Sequence, residues 1–264
     1  MNGALLRKLS LSATAAALGL ALTACGGSSD TGQQAQAPAR TLTVSAAASL
    51  TGVYQQLGNE FQAANPGATV TFNFGGSDSL AQQVVQGVPA DVLATASSKT
   101  MQTAVQAGKI QDEPVIYATN TLQIAVAPNN PKAIASLTDL TKPGVISVVC
   151  APAVPCGAAA EAAEKAAGVT LTPASEEQDV KGVLNRVQTG NADAGLVYVT
   201  DVKSTGGKVT GVDFPQSSAQ GAVQSYPIGV VAGSPNADLA RTWIEFVRGP
   251  QGTAALQQAG FVTK

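Results

Sequence analysis

The sequence predicts an α/β fold made of two blocks in which short strands alternate with amphipathic helices. Apolar segments of strand length alternate with segments of helical spacing from residue 41 to the C-terminus. Two early strands end in small residues and a serine just before the next helix begins. About 240 residues follow the N-terminal leader, enough for two lobes of modest size. A single large doubly wound domain is the alternative.

The first helix of the first block shows the pattern clearly. Apolar side chains recur at helical spacing from Leu50 to Phe61, which places them on one stripe. The Asn-Pro-Gly segment at 65–67 ends this helix, and Gly87 and Gly108 end the two that follow. The first block is predicted to contain strands at 41–45, 69–74, 90–94 and 122–127 and helices at 50–64, 80–86 and 99–107.

The second block repeats the alternation. A helix rich in Ala and Glu ends at Gly168, and an amphipathic helix that starts at Val180 ends at Gly190. Trp243 lies on the apolar stripe of a helix near the C-terminus, and Gly260 ends the last helix. The second block is predicted to contain strands at 145–149, 194–199 and 228–232 and helices at 158–167, 180–187, 239–247 and 251–259.

The two serine turns carry the first functional indication. Ser49 and Ser77 each follow a strand and small residues and precede a helix. A helix start has unpaired N–H groups and partial positive charge, so it can hold an anion without a cationic side chain. Small residues let the anion approach the backbone, and a serine adds a hydroxyl donor. The pair predicts an oxyanion clamp at the carboxyl ends of the strands; ordinary helix capping by serine is the alternative.

The N-terminus has the pattern of an export signal. Two basic residues precede an apolar run at 9–22 that is too short to cross a membrane comfortably. The LTAC sequence at 22–25 resembles a bacterial lipobox, which implies that residues 1–24 are a signal peptide and that Cys25 is lipidated. An ordinary secretory signal is the alternative. Residues 25–40 are rich in Gly, Ser, Gln, Ala and Pro, which predicts a flexible tether.

Composition excludes several classes of function. The chain contains no histidine, which removes Ser-His-Asp and Cys-His catalysis and the commonest transition-metal ligand. Without its leader the chain has 13 basic and 17 acidic residues, a net charge of −4 that argues against a nucleic-acid surface. An exported enzyme with Ser77 or Cys156 as nucleophile is a weak alternative, because neither serine turn has a Ser-x-x-Lys frame. An envelope lipoprotein without a small ligand is another alternative.

Cys150 and Cys156 are the two thiols that remain if Cys25 is lipidated. Exported proteins face an oxidising compartment, so a disulfide that closes a small loop is favoured over two separate thiols. A metal site is not expected, because no further soft ligands lie near them in the sequence.

Eight short motifs occur in one order between Thr41 and Lys264. They are AAASL at 46–50, GSDSLAQQ at 76–83, GVPADV at 87–92, PCG at 155–157, DVKGVL at 179–184, GLVY at 195–198, YPI at 226–228 and GPQG at 249–252. Together they resemble the substrate-binding proteins of molybdate ABC importers.

The resemblance implies a fold of the type II periplasmic-binding-protein class. Two α/β lobes, each a mostly parallel sheet flanked by helices, are joined by two crossing strands, with the ligand cleft between them. The first lobe is expected at 41–120 plus 224–264 and the second at 121–223. The resemblance also implies a monomeric binding protein outside the cytoplasmic membrane, attached only by its lipid. It delivers molybdate or tungstate to a permease, with no catalytic activity, cofactor, metal-cation ligand or nucleic-acid partner.

The resemblance further implies which residues hold the anion. Ser49 and Ser77 are each expected to give a hydroxyl and a backbone N–H from the first lobe. Cys156 and Val180 are expected to give backbone N–H groups from the second lobe, and Tyr198 its hydroxyl. Cys156 departs from the family pattern, in which a small residue such as Ala is common. A backbone donor does not depend on its side chain, so the role is retained.

Each of these assignments has an ordinary alternative. Tyr198 could be a strand aromatic with its ring in the core and its hydroxyl in water, and Val180 a core valine at a helix start. Asp78 and Asp179 lie beside expected donors, and we expect both carboxylates to point away from the anion, with Asp179 capping a helix. Another tetrahedral oxyanion, such as sulfate or phosphate, is the alternative ligand.

Overall fold

The computed structural model describes residues 40–215 and 221–264. The predicted signal peptide at 1–24, the lipidation site Cys25 and the tether up to residue 39 lie outside the described residues. Within the described ranges, no helix combines the length and the apolar character needed to cross a membrane.

Ten strands and eight helices occur in the described ranges. The strands are β1 (Arg40–Ala47), β2 (Ala68–Gly75), β3 (Val92–Ala94), β4 (Val115–Val126), β5 (Ser147–Cys150), β6 (Ser175–Glu177), β7 (Ala194–Tyr198), β8 (Thr210–Val212), β9 (Val223–Val230) and β10 (Val262–Thr263). The helices are α1 (Thr51–Ala64), α2 (Ser77–Val85), α3 (Ser98–Gln106), α4 (Pro155–Ala167), α5 (Val180–Gln188), α6 (Val199–Ser204), α7 (Ala237–Arg248) and α8 (Pro250–Ala259).

The strands form one mixed sheet in the order β2-β1-β3-β9-β4-β7-β5-β6, with β8 and β10 also paired to β4. Pairing is parallel in the β-α units, between β1 and its neighbours β2 and β3 and between β5 and its neighbours β6 and β7. Strand β4 pairs antiparallel with β7, β8, β9 and β10, and β9 also pairs antiparallel with β3. The predicted α/β class is therefore confirmed, and the sheet is more mixed than the predicted mostly parallel lobes.

The strands β4 and β9 connect the two halves of the molecule. The first part of β4 pairs with β9, from Val115 to Thr121, and its second part pairs with β7, from Leu122 to Val126. The sequence pattern predicts only the second part, because the polar residues at 119–121 separate the apolar segment at 115–118 from the apolar run that begins at Leu122. The two tyrosines at the lobe junction, Tyr198 on β7 and Tyr226 on β9, face neighbouring parts of β4.

Two large cores define the two lobes, and a third, smaller cluster packs α2 and α3 against β3. The core of the first lobe lies among β1–β3, α1, α7 and α8, with Trp243 edge-on to Tyr54 and Phe61 at ring-centroid distances of 5.5 and 5.3 Å. The predicted apolar stripe of α1 is buried in this core, as expected. The core of the second lobe lies among β4, β5, β7, α4 and α5. The exact lobe limits, 41–120 plus 224–264 and 121–223, stay a prediction.

Two helices begin three residues earlier than the sequence predicts. Helix α2 begins at Ser77 and α4 at Pro155, because their first turns lack the apolar periodicity that marks the rest of each helix. Proline suits the first position of a helix, where its missing N–H is not needed. The earlier starts place Ser77 and Cys156 in first turns. The short elements β6, β8, β10 and α6 are not predicted by the sequence pattern.

Arg40 belongs to β1, which corrects the predicted end of the tether by one residue. The backbone N–H of Arg40 donates to the carbonyl oxygen of Gly67 at 2.8 Å. Its guanidinium forms a two-pronged ion pair with Asp238 at the start of α7. These contacts extend the parallel ladder with β2 to Arg40, which pairs with Ala68.

Asp91 is a buried carboxylate that ties β1 to the turn after β9. It accepts hydrogen bonds from the Thr43 backbone N–H at 2.7 Å, from the Ser234 hydroxyl and from the Asn236 side-chain amide at 3.3 Å. Replacing this acceptor leaves several donors unpaired in a site that is 5% exposed.

We predict that Asp91→Ala lowers the free energy of unfolding by about 2–4 kcal/mol in chemical denaturation. The matched control is Asp112→Ala, which removes a surface ion pair with Arg241 at 3.1 Å and should cost less than about 1 kcal/mol. Equal costs for the two variants would show that the Asp91 network does not stabilise the fold.

Candidate functional site

A small cavity lies between the lobes, where strands end and helices begin. About 20 Å³ of it is open to the centre of a water-sized sphere, so it suits a small ligand rather than an organic molecule. The first lobe contributes Ala47, Ala48, Ser49, Gly75, Gly76, Ser77 and Ala96 to its wall, and the second lobe contributes Val154, Pro155, Cys156, Asp179, Val180 and Tyr198.

Three helices begin at this cavity. Ser77 is the first residue of α2, Val180 the first of α5 and Cys156 the second of α4. The first N–H groups of a helix have no partner within the helix, and the aligned peptide dipoles add partial positive charge there. The cavity is therefore surrounded by backbone donors from both lobes.

Neither serine caps its helix. The side chain of Ser77 accepts a hydrogen bond from the Ala96 backbone N–H at 3.0 Å, and the starts of α1 and α2 have no side-chain cap. The Ser49 hydroxyl, in a short 3-10 turn at Ala48–Leu50, forms a buried hydrogen bond of 2.8 Å with the Tyr226 hydroxyl. The capping alternative is therefore wrong for both residues.

Tyr198 brings a hydroxyl group to the cavity from the end of β7. The residue is only 1% exposed, and its hydroxyl oxygen has no hydrogen-bond partner within normal geometry. Burial raises the pKa of Tyr198 well above its ordinary value, so the hydroxyl keeps its proton. The alternative of a hydroxyl in water is wrong. A buried donor without an acceptor at a cavity wall is what a bound anion would satisfy.

Asp201 fixes the backbone that carries Tyr198. This carboxylate is fully buried, accepts from the Tyr198 backbone N–H at 3.1 Å and pairs with the Lys181 ammonium at 2.8 Å. Burial raises the pKa of Asp201, and Lys181 opposes that rise. Because Lys181 pairs with Asp201, the one cation next to Val180 is already neutralised.

Cys150 and Cys156 form a disulfide that joins the end of β5 to the first turn of α4 (S–S 2.08 Å). The turn between them is tightly packed, since a Cβ on Gly157 would lie 1.9 Å from the Ala151 carbonyl oxygen. The cross-link and this packing together hold the Cys156 backbone N–H against the cavity.

Asp179 is the one charged side chain in the cavity wall. Its carboxylate accepts from the Gly182 backbone N–H at 3.0 Å and caps α5, as the sequence predicts. Asp78, in the first turn of α2, has a buried carboxylate oxygen without a partner and does not contribute to the wall. The wall therefore contains hydroxyl and amide donors and no cation.

The five residues expected to hold the anion, Ser49, Ser77, Cys156, Val180 and Tyr198, all lie at this cavity. Sequence reasoning missed two groups behind them, the Ala96 amide and the Tyr226 hydroxyl. The YPI motif pointed to Tyr226 without giving it a role, and a backbone amide such as that of Ala96 has no sequence signal. In the described part of the chain, no group of three or more acidic or Cys side chains could hold a metal ion.

Comparison with known proteins places the chain among binding proteins. A family model described as bacterial extracellular solute-binding protein matches residues 42–262. The molybdate-binding protein ModA of Mycobacterium tuberculosis is 45% identical over 255 residues, 96% of this chain and 97% of that relative. The molybdate-binding protein ModA of Escherichia coli is 30% identical over 84% of this chain and 89% of its own length.

A solved structure agrees with the sequence comparison. The periplasmic molybdate-binding protein of Azotobacter vinelandii has a TM-score of 0.73 and covers 84% of this chain and 98% of its own, at 19% identity. That likeness shows the fold alone, a two-lobed periplasmic-binding-protein architecture. Since the family model and the relatives cover nearly the whole described chain, this protein belongs to the bacterial extracellular solute-binding protein family, together with the molybdate-binding proteins of mycobacteria.

Proposed function

We propose that the protein binds molybdate outside the cytoplasm and delivers it to the permease of an ABC importer. One observation carries the proposal: the five residues that the resemblance expects to give neutral donors lie around a small cavity between two lobes. The relatives are solute-binding proteins, so no catalytic step is proposed. The ligand is the transported anion, and no cofactor takes part.

The size of the cavity suits a tetrahedral oxyanion. About 20 Å³ is open to the centre of a water-sized sphere, somewhat more than one such sphere occupies, so the cavity takes a compact ligand such as a small oxyanion.

The chemistry of the wall suits an anion that carries no proton. Molybdate is fully deprotonated near neutral pH, so its four oxygens only accept hydrogen bonds. Hydroxyl and amide groups can meet each oxygen with a donor, and the starts of α2, α4 and α5 add positive potential. A cationic side chain is not required.

Selectivity against phosphate follows from the same donors. Monohydrogen phosphate brings an O–H that needs an acceptor. The one carboxylate in the wall, Asp179, already accepts from the Gly182 N–H, so an O–H that faces the hydroxyl and amide donors stays buried and unpaired. The cost is about 1–3 kcal/mol, or roughly ten- to a hundredfold in affinity. Sulfate carries no proton, so only its smaller size distinguishes it, and tungstate, which is nearly the size of molybdate, should bind as well.

We predict that calorimetric titration of the leaderless protein gives tight binding of molybdate and tungstate. Sulfate should bind more weakly, and phosphate at pH 8 at least about tenfold more weakly than molybdate. Sulfate binding as tight as molybdate binding would favour the sulfate-transport alternative. Absence of binding for all four anions would refute the proposed function.

Tyr198→Phe separates ligand binding from stability. The hydroxyl has no partner in the free protein, so its removal should leave the free energy of unfolding unchanged or slightly raised. Loss of one donor to a charged ligand should weaken molybdate binding about ten- to a hundredfold in calorimetry.

The matched control is Tyr117→Phe, which removes a buried hydroxyl paired with Tyr54 at 2.8 Å. This variant should lose about 1 kcal/mol of stability and keep its affinity for molybdate. If Tyr198→Phe binds molybdate like the unaltered protein, Tyr198 is not a ligand.

Closure of the lobes around the anion depends on Gly76. A Cβ at this position would lie 2.5 Å from the Gln178 carbonyl oxygen, which precedes α5 in the other lobe. Real Cβ atoms do not approach a carbonyl oxygen so closely. The Gln178 carbonyl belongs to the backbone, so it cannot rotate away as the end of a flexible side chain could. A methyl group at Gly76 would therefore hold the lobes apart and keep the second-lobe donors from the anion.

We predict that molybdate lowers the radius of gyration of the unaltered protein in small-angle scattering. Gly76→Ala should abolish this change and weaken molybdate binding at least about tenfold. The control is Gly52→Ala in α1, where a new Cβ meets nothing within 4 Å. Unchanged affinity and compaction in Gly76→Ala would mean that this contact does not govern closure.

The proposal extends to topology and location. We take the first lobe as 41–120 plus 224–264 and the second as 121–223, which is supported by the two cores and by the pairing of β4 with β9 between them. We place the protein as a monomer on the outer face of the cytoplasmic membrane, held by a lipid on Cys25, as the LTAC sequence implies.

A further inference from the structure

In the hydrogen bond between Ser49 and Tyr226, either hydroxyl group could be the donor. The two hydroxyl oxygens are 2.8 Å apart, and the residues are 6% and 0% exposed. Each hydroxyl has one proton, and either oxygen can accept. If Ser49 donates to Tyr226, a serine lone pair faces the anion. If Tyr226 donates to Ser49, the serine proton is free for the anion.

The second serine shows the arrangement that an anion site needs. The partner of Ser77 is the Ala96 backbone N–H at 3.0 Å, which can only donate. The Ser77 oxygen is therefore the acceptor, and its own proton is left to point elsewhere. The cavity is the space that Ser77 lines. The protein thus makes Ser77 a donor toward the cavity by giving its oxygen a donor from behind.

We infer that Tyr226 does for Ser49 what the Ala96 amide does for Ser77. Tyr226 donates to the Ser49 oxygen and so directs the Ser49 proton to the bound anion. Tyr226 is then a positioning residue, which acts on the ligand only through Ser49. This inference rests on the proposed function and adds to it the residue that favours fully deprotonated anions at Ser49.

The surroundings of Tyr226 favour this direction. Burial raises the pKa of Tyr226, so its proton is retained, while the Ser49 hydroxyl and, to a smaller extent, the Asn120 side-chain amide and the Tyr198 hydroxyl oppose that rise. The Asn120 amide nitrogen donates to the Thr200 hydroxyl at 2.8 Å. The Ser49 oxygen, 2.8 Å away, is the acceptor within reach of the Tyr226 proton. The Tyr198 hydroxyl forms no hydrogen bond of normal geometry.

The polarity runs in one direction through three groups. It begins at the Tyr226 hydroxyl on β9, passes through the Ser49 hydroxyl and ends at the anion. Hydrogen bonds in such a chain polarise one another in a buried setting, which strengthens the last donor. If an anion oxygen that faces Ser49 carried a proton, that proton would meet the Ser49 O–H, which is a donor. No lone pair would be available there to accept it.

The test is a double-mutant cycle on molybdate affinity, with Tyr226→Phe, Ser49→Ala and the pair measured by calorimetry. Tyr226→Phe alone should weaken binding about tenfold, because the Ser49 proton is no longer directed to the anion. In the Ser49→Ala background the same change should alter affinity less than about twofold, because the serine through which it acts is gone.

The control is Tyr54→Phe, which removes another buried tyrosine hydroxyl in the same lobe. That hydroxyl is hydrogen-bonded to the Tyr117 hydroxyl at 2.8 Å. It should lower the melting temperature about as much as Tyr226→Phe and change the affinity less than about twofold. Wild-type affinity in Tyr226→Phe, or equal losses with and without Ser49, would overturn the inference. Failure of the unaltered protein to bind molybdate would instead refute the proposed function.

If Tyr226→Phe does not fold, Asn120→Ala replaces it in the same cycle, because it removes a side-chain amide that acts on the Tyr226 hydroxyl. It should weaken binding about threefold to tenfold in the presence of Ser49 and less than about twofold in Ser49→Ala. Equal effects in both backgrounds would again overturn the inference.

Discussion

The structure depends on unpaired N–H groups at helix starts that are brought to one point. Helices α2, α4 and α5 begin at the same small cavity. The starts of α2 and α4 have no side-chain cap, and Asp179 caps α5 through the Gly182 N–H, which leaves the Val180 N–H without a side-chain acceptor. An isolated helix start binds an anion weakly in water. Three of them in a confined space with buried hydroxyl groups replace most of the hydration that an oxyanion loses.

The rest of the fold serves to hold these groups in place. Parallel β-α units put each helix start at the carboxyl end of a strand, and β4 and β9 bring two such units together. Small residues then let the backbones approach, most closely at Gly76 opposite Gln178. The Ala96 amide and the Tyr226 hydroxyl form hydrogen bonds with the Ser77 and Ser49 hydroxyls, respectively. Asp201 accepts a hydrogen bond from the Tyr198 backbone N–H.

Much of this was predictable from the sequence, for physical reasons. Helical spacing identified α1, α5 and α7, because an amphipathic helix has to bury one stripe. Periodicity missed the first turns of α2 and α4, since those residues face a cavity and not a core. The first part of β4 was missed because a strand between two lobes does not alternate cleanly between core and solvent.

The candidate site was likewise only partly predictable from the sequence. Motif resemblance nominated the residues at the cavity, but the groups behind them depend on contacts distant in sequence. Ser49 and Tyr226 are 177 positions apart, and no local pattern joins them. The Ala96 amide has no side-chain identity that a sequence could reveal. Long-range partners of this kind can be found only from the three-dimensional arrangement.

The most direct test of the central claim is anomalous diffraction at the molybdenum edge from crystals grown with molybdate. We expect one strong peak in the cavity, with the anion oxygens within hydrogen-bonding distance of the Ser49, Ser77 and Tyr198 hydroxyls and the Cys156 and Val180 amides. A peak held by lysine or arginine side chains, or a peak outside this cavity, would contradict the account.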